Sequence, residues 1–417
     1  MQTNHMPDEK HPIFDNDLFS MRNIDIRTDI LNNGQRPYFG LDSIDPKWEG
    51  VALKPGIALF YDGDVIKKFI VFRPNDYYAE FMECDMNLQT RGRELILPKT
   101  DKGKLKKITF SSISAETPSG CVFKLYYGNR QSLAVYCPRN HLTLPISPDL
   151  KFKSLHDYQA WKDEYIATCP KDYFEKIERM KITPHRTIKY YNGDIFRFEI
   201  DREYYGFGII LGQLKPMRKQ KLIPKLHLLD SVMCVPLIVR LFNFRTKNKD
   251  ISVDELTESS MLPARFLADN GIIWGKYEII GNKMLEVNDI DFPVQVGYTQ
   301  SEPRLFRFCW GNGMAITDKV DEVEKILSQT TVTPGSWNLH FFNNVVSIVL
   351  EGAPPEMQWQ PLSHVIDGQA KKAVYHVFQF PENMTFDDFN TKYGGMTRQE
   401  YADYANKSLR PTTTVPG

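Results

Sequence analysis

Between Val51 and Tyr136 apolar and aromatic residues come in short runs, and Gly, Asn, Asp or Pro cuts most of the gaps. That rhythm constrains the fold more than any other feature of the chain, because short runs at this spacing read as strands. Ile57-Ala-Leu-Phe-Tyr61, the turn Asp62-Gly63-Asp64 and Val65–Phe72 predict a hairpin. Further strands are expected at Glu94–Leu97, Lys106–Ser111, Cys121–Tyr127 and Ser132–Tyr136. Together they point to a β sandwich or barrel that closes near Pro148, preceded by an irregular polar arm over residues 1–50. An aromatic share of 12% favours the same class, since rings fit pleated, half-buried surfaces.

The period changes after residue 150. Leu155, Tyr158, Trp161, Tyr165 and Ile166 recur at helical spacing, and Tyr173, Phe174, Ile177 and Met180 resume it beyond Pro170. Two short helices are expected, with Pro170 in the first turn of the second, as a connector over 151–184. Asp194–Ile200 and Tyr204–Leu211 around Asp201-Arg202-Glu203 predict a second hairpin. A basic loop over Lys215–Lys225 and an apolar strand over Val232–Phe244 follow, with Pro236 demoting part of that strand to an edge or bulge. A helix capped by Ser252 and Glu255, another started by Pro263 and ended at Asn270-Gly271, and a hairpin of Ile272–Ile280 with Met284–Val287 come next. Phe306–Trp310 reads as a strand and Val320, Val323, Ile326 and Leu327 as an amphipathic helix. Past Pro334-Gly335, strands are expected at Trp337–Phe342, Val345–Leu350 and Val374–Phe380. Helices are expected at Thr385–Tyr393 and from Thr397 to about Lys407, the latter with a Thr397/Glu400 capping box. The whole reads as a β-rich α+β chain of several domains: 1–150, the connector 151–184, a central α+β domain of antiparallel hairpins over 185–330, and a small α+β region over 331–417.

Charge is balanced, with 52 basic and 52 acidic residues, whereas a dedicated nucleic-acid binder is usually basic overall. It is unevenly spread. Residues 91–107 hold seven Lys/Arg against two acids, and residues 251–302 hold nine acids against three bases. Either these are solvated surface, or the second stretch is an acidic face for a basic partner. The basic clusters Lys215, Arg218, Lys219, Lys221, Lys225 and Lys99, Lys102, Lys104, Lys106, Lys107 lack interleaved aromatics, so solvated loops are favoured over phosphate tracks.

No known catalytic motif is present: no nucleophile elbow, P-loop or zinc-protease helix. Gly206-Phe-Gly208 lacks the third glycine of a dinucleotide loop. Six cysteines form no C-x-x-C pair, and nine histidines never fall at i, i+3 or i+4, so neither a metal nor a cofactor is expected. Cys137 with His141 is the weak candidate for a nucleophile pair. The opening residues MQTNHMPDEKHPIF lack a signal-peptide pattern, and Val232–Phe242 is too short and polar to span a bilayer, so a soluble, cytoplasmic protein is expected.

One pair of segments carries more. Tyr191-Asn-Gly-Asp-Ile-Phe-Arg-Phe-Glu-Ile200, then Tyr204-Tyr-Gly-Phe-Gly-Ile-Ile-Leu211, and later Trp274-Gly-Lys-Tyr-Glu-Ile-Ile-Gly-Asn282 resemble a bacterial toxin-immunity family, immunity protein 26, over about 185–300. The resemblance implies a non-catalytic protein that neutralises a toxin, often a secreted nuclease or other effector, by binding it. On that reading Gly193, Asp194, Tyr205, Gly206, Phe207, Gly208 and Trp274 belong to the binding region, with Glu278, Glu286, Asp289 and Asp291 as acids steering a basic partner. Read from chemistry alone, Gly193-Asp194 is a tight strand entry. Gly206 and Gly208 leave room on one face for Phe196 or Phe198, or for a ligand. Two alternatives stay open: a nucleic-acid-associated defence or mobile-element protein using the basic loops, and an enzyme with a dispersed site.

Overall fold

The computed structural model describes residues 27–146, 150–230, 236–299, 303–328, 341–342, 345 and 368–409. The chain divides at His185/Arg186 into two compact units.

In the first unit the expected hairpin is present: β2 (Ile57–Asp62) turns through Gly63-Asp64 into β3 (Val65–Pro74). These join β1 (Glu49–Lys54), the long β4 (Tyr78–Arg91), β7 (Val122–Gly128) and β8 (Ser132–Tyr136) in the order β1-β2-β3-β4-β7-β8, antiparallel throughout. β5 (Glu94–Leu95) and β6 (Lys106–Lys107) branch from the far end of β4. The sheet does not close into a barrel, and helices, not a second sheet, cover one face. Lys106–Ser111 is a strand for two residues only. Thr109 and Ser112 then cap each other and start helix α1 (Phe110–Ser114). A local cap of this kind satisfies backbone groups that an edge strand would leave to water.

Helices α2 (Leu155–Ala167) and α3 (Tyr173–Ile182) lie in this first unit, with Pro170 just ahead of the Asp172 N-cap rather than in the first turn. Their helical spacing buries Tyr158, Tyr165, Tyr173, Ile177 and Met180 against Phe39, Phe81, Phe123 and Leu125. Each large side chain so buried contributes about 1.5–3 kcal/mol. Of the expected N-terminal arm, residues 27–48 pack here through Ile30, Leu31, Phe39 and Leu41, and residues 1–26 lie outside the described residues. Arg36 from that arm, Lys68 from β3 and Glu83 and Asp85 from β4 form a buried charge network. Arg36 Nε lies 2.7 Å from Glu83, and Lys68 Nζ lies 2.8 Å from Glu83 and 2.6 Å from Asp85.

The second unit is built on a six-stranded sheet. Its strands are β9 (Asp194–Glu199), β10 (Tyr205–Gln213), β11 (Pro236–Thr246), β12 (Arg265–Ala268), β13 (Glu278–Asn282) and β17 (Phe341–Phe342), in the order β13-β9-β10-β11-β12-β17. All pairs are antiparallel except β12 with β17. β14 (Val294–Tyr298), β15 (Phe306–Trp310) and β16 (Gly313–Thr317) form a separate antiparallel sheet. The helices are α4 (Leu214–Lys219), α5 (Val253–Thr257), α6 (Asn270–Ile273), α7 (Val320–Leu327), α8 (Gly368–Phe378), α9 (Phe386–Lys392) and α10 (Arg398–Asn406). The main core joins Phe207, Ile209 and Leu211 of β10 to Phe292, Phe308, Phe386, Phe389 and Tyr401.

Several expectations change here. Lys215–Lys225 opens with a helical turn, because Leu214 and Met217 bury three residues apart. Pro263 leads into strand β12, paired to β11, and Asn270 begins a helix rather than ending one. Pro236 is the first residue of an interior strand, where its missing N–H is tolerated. Ile272–Ile280 makes no hairpin with Met284–Val287; β13 pairs with β9 instead. Val374–Phe380 lies mostly in α8, since a short apolar run has no period of its own. The helices capped by Thr385 and Thr397 form as expected, each with a reciprocal capping box. The paired strands around Asn343-Asn344 fall largely outside the described residues.

The C-terminal helices clasp the sheet. Asn192 Nδ2 donates to Ala405 O at 3.3 Å, Leu285 N donates to Asn406 Oδ1 at 2.9 Å, and Gly313 N donates to Asn390 Oδ1 at 3.0 Å.

Candidate partner-binding surface

The β9–β10 hairpin begins at a turn that requires glycine. Gly193 has φ +78°, and a Cβ there would strike the Lys283 carbonyl. Its N–H donates to Ile210 O at 2.7 Å, and its carbonyl accepts from Lys283 N at 3.0 Å. Asp194 is fully buried beside it. One carboxylate oxygen accepts from Tyr191 N at 2.8 Å and the other from Asn282 Nδ2 at 2.9 Å. Gly193 and Asp194 therefore lock the hairpin to β13.

Gly206 and Gly208 face the side of the sheet where Phe198 and Phe196 stand opposite them in register. A Cβ on Gly208 would come within 2.5 Å of Phe196 Cζ and 2.7 Å of Leu241 Cδ2, and one on Gly206 would collide with the Phe198 ring. Of the two readings of these glycines, the chain's own phenylalanines fill the room. Phe207 points to the opposite face and is wholly buried.

The acids divide. Asp289 is buried, pairs with Lys283 at 2.9 Å and accepts from Glu286 N at 2.8 Å. Asp291 is buried and accepts from Ala264 N at 2.9 Å. Neither presents its carboxylate to a partner. Glu278 and Glu286 are exposed. Glu278 pairs with Arg197, whose other side is 3.6 Å from Asp250, and the Arg197 guanidinium also lies 5.6 Å from the half-exposed Tyr205 ring. α5 packs across β13, where Val253 fills the space over Gly281, so the exposed Asp254 and Glu255 gather along the same strand. Trp274, half-buried, ends α6. Sequence reasoning missed Asp250 and Met284; Met284 is 66% exposed because Leu285 beside it is anchored to Asn406. Nothing in the sequence distinguishes that methionine from a core residue.

Burial pushes the Cys84, Cys121 and Cys309 thiols up to about 12, the wrong direction for nucleophiles. Cys137 is buried, and its backbone carbonyl accepts from His141 N at 2.8 Å. Burial drives the His227 imidazole down to about 3 while its Nδ1 accepts from Leu229 N at 3.0 Å. Among the described residues no group of three or more His, Cys, Asp or Glu could hold a metal ion. No described helix is long and apolar enough to cross a membrane.

No curated protein and no solved structure matches the chain significantly. Residues 191–301, the segment that carries the hairpin, β13 and the acidic rim, match the family model of immunity protein 26.

Proposed function

We propose that this protein neutralises a toxin by binding it, without catalysis, and that the edge formed by β13 and α5 is the surface it uses. The observation that carries the reading is the family match over 191–301. Geometry supports the choice of surface. Asp250, Asp254, Glu255 and Glu278 are exposed along β13 and α5, Met284 and Glu286 are exposed on the segment that follows β13, and Tyr205 is half-exposed beside Arg197. An acidic rim suits a basic partner, because complementary charge raises the association rate. Gly193, Asp194, Gly206, Phe207 and Gly208 serve by holding this edge in shape. On this reading the protein acts in the cytoplasm of the cell that makes the toxin.

The test is co-expression and binding with the product of the neighbouring toxin gene. Tight binding and rescue of growth are expected. The Asp250→Lys, Glu278→Lys, Glu286→Lys variant should associate more slowly at low salt and converge with wild type as the screening length shortens to ~10 Å at 0.1 M. Failure to bind any such product would sink the toxin reading. Binding with equal rates for wild type and variant would move the contact elsewhere.

A further inference from the structure

The first unit's sheet has a second face, turned away from α2 and α3. Phe110, Ile108 and Ile113 cover one part of it, over Ile57, Leu59, Phe69 and Val71. Towards β7 and β8 its character changes. Register sets Arg73, Glu80, Tyr126 and Ser132 side by side across β3, β4, β7 and β8. The next row is Val71, Met82, Lys124 and Ala134, and the next is Phe69, Cys84, Val122 and Tyr136. Tyr78 opens the same face on β4, and the β7–β8 turn adds exposed Arg130.

Rings and cations interleave on this patch. Tyr78 and Tyr126 have centroids 6.0 Å apart, and the Arg130 guanidinium lies 4.0 Å over Tyr126 and 5.6 Å from Tyr78. Lys124 Nζ is 5.7 Å from the Tyr136 ring. Glu80 is the one acid in these rows, and it accepts a hydrogen bond from the Tyr126 hydroxyl at 2.9 Å. The basic stretches of the sequence lack aromatics between their lysines. Here the fold brings Arg130 and Tyr126 of one hairpin against Tyr78, some fifty residues earlier in the chain.

We propose that this half-open face of β4, β7 and β8 binds single-stranded nucleic acid. Bases would lie on Tyr78 beside Arg130, with phosphates met by Lys124 and by Arg73, whose guanidinium rests 4.2 Å over the Phe110 ring. A pleated face of rings and cations suits unstacked bases, because stacking needs splayed rings and the backbone needs positive charge. A duplex hides its ring faces, and an acidic polypeptide would use the cations and leave the tyrosines idle.

The experiment is fluorescence anisotropy of the full chain with labelled oligothymidine and oligouridine across ionic strength. Wild type should bind either or both, with log K falling against log salt at about −0.7 for each phosphate contact. Tyr78→Ala and Arg130→Ala should each weaken binding about tenfold. Lys124→Gln should make the salt slope shallower by about 0.7. The loop variant Lys99→Gln, Lys102→Gln, Lys104→Gln should bind as wild type, and hydrogen exchange over β4 and β7 should show that every variant keeps its sheet. Absence of binding by wild type at low salt would overturn the proposal. So would unchanged affinity in both Tyr78→Ala and Arg130→Ala, or equal binding of a duplex or of polyglutamate at the same face. None of these outcomes bears on toxin binding by the second unit.

Discussion

Glu83 and Asp85 in the first unit and Asp194 in the second are buried carboxylates in different settings. Arg36 and Lys68 neutralise the first pair with full charges. Asp194 accepts from neutral donors, the Tyr191 N–H and the Asn282 amide. Burial pushes the Asp85 carboxyl up to about 6 against the pull of Lys68, while burial would lower Lys68 but Glu83 and Asp85 carry it above its ordinary value. A charge-paired site is therefore sensitive to proton and partner alike. A site of neutral donors depends on geometry, and it sits where the chain must pin a turn.

The sharpest way to break this contrast is to remove the shared cation. Lys68→Met strands two buried carboxylates and is expected to cost about 3–5 kcal/mol. Hydrogen exchange of the full chain should localise the loss to β3 and β4, and a loss under about 1 kcal/mol would show that the network contributes little.

The proton dependence is the next largest effect. Asp85 binds its proton more tightly folded than unfolded, where its ordinary value is 3.8. The stability it adds is full below that value and is lost as pH rises through about 6. The decline is about 1.4 kcal/mol for each unit between the two values. Asp85→Asn should flatten the first unit's profile over that range. An unchanged slope would assign it to another group.

For the neutral site, Asp194→Ala leaves two donors unanswered at the hairpin entry and is expected to cost about 1–3 kcal/mol. Exchange should quicken at Tyr191 and in β13, not in the first unit. Smallest of all, Glu278→Lys should leave thermal unfolding where it was and change only the rate of association with a basic partner. A large drop in melting temperature would mean that its pairing with Arg197 is structural.

Some of this was legible in the sequence. The Asp62-Gly63-Asp64 and Asp201-Arg202-Glu203 turns marked both hairpins, because turn residues and period two act locally. Thr397 marked its helix through a capping box that needs only four consecutive residues, while the box at Thr385 emerged only in the structure. The one-turn helix at Leu214, the strand after Pro263 and the helix at Gly368 were not legible. The first two are too short to show a period, β12 takes its identity from pairing with β11, and the apolar run Val374–Phe380 straddles the end of the third. At the candidate surface, charge counting found the acid-rich stretch. It could not separate Glu278 and Glu286 outside from Asp289 and Asp291 inside, since the same residue type caps a turn or faces water. The tyrosine and arginine patch of the first unit was invisible for a different reason: Tyr78 of β4 meets Tyr126 and Arg130 only through the pairing of β4 with β7.

The clasp of α9 and α10 on the sheet bears on how the protein is made. Tyr401, Phe386 and Phe389 fill the core beneath β10, and Asn406 holds the segment after β13 at Leu285. The segment that matches the immunity family therefore leaves the ribosome about a hundred residues before the helices that complete it. At ~5–20 residues per second, the roughly 190 residues from the end of β10 to the end of α10 leave its apolar face waiting roughly 10–40 s for its cover. A nascent chain halted near residue 380 should be cut readily by protease within 191–301, whereas one released after residue 409 should resist.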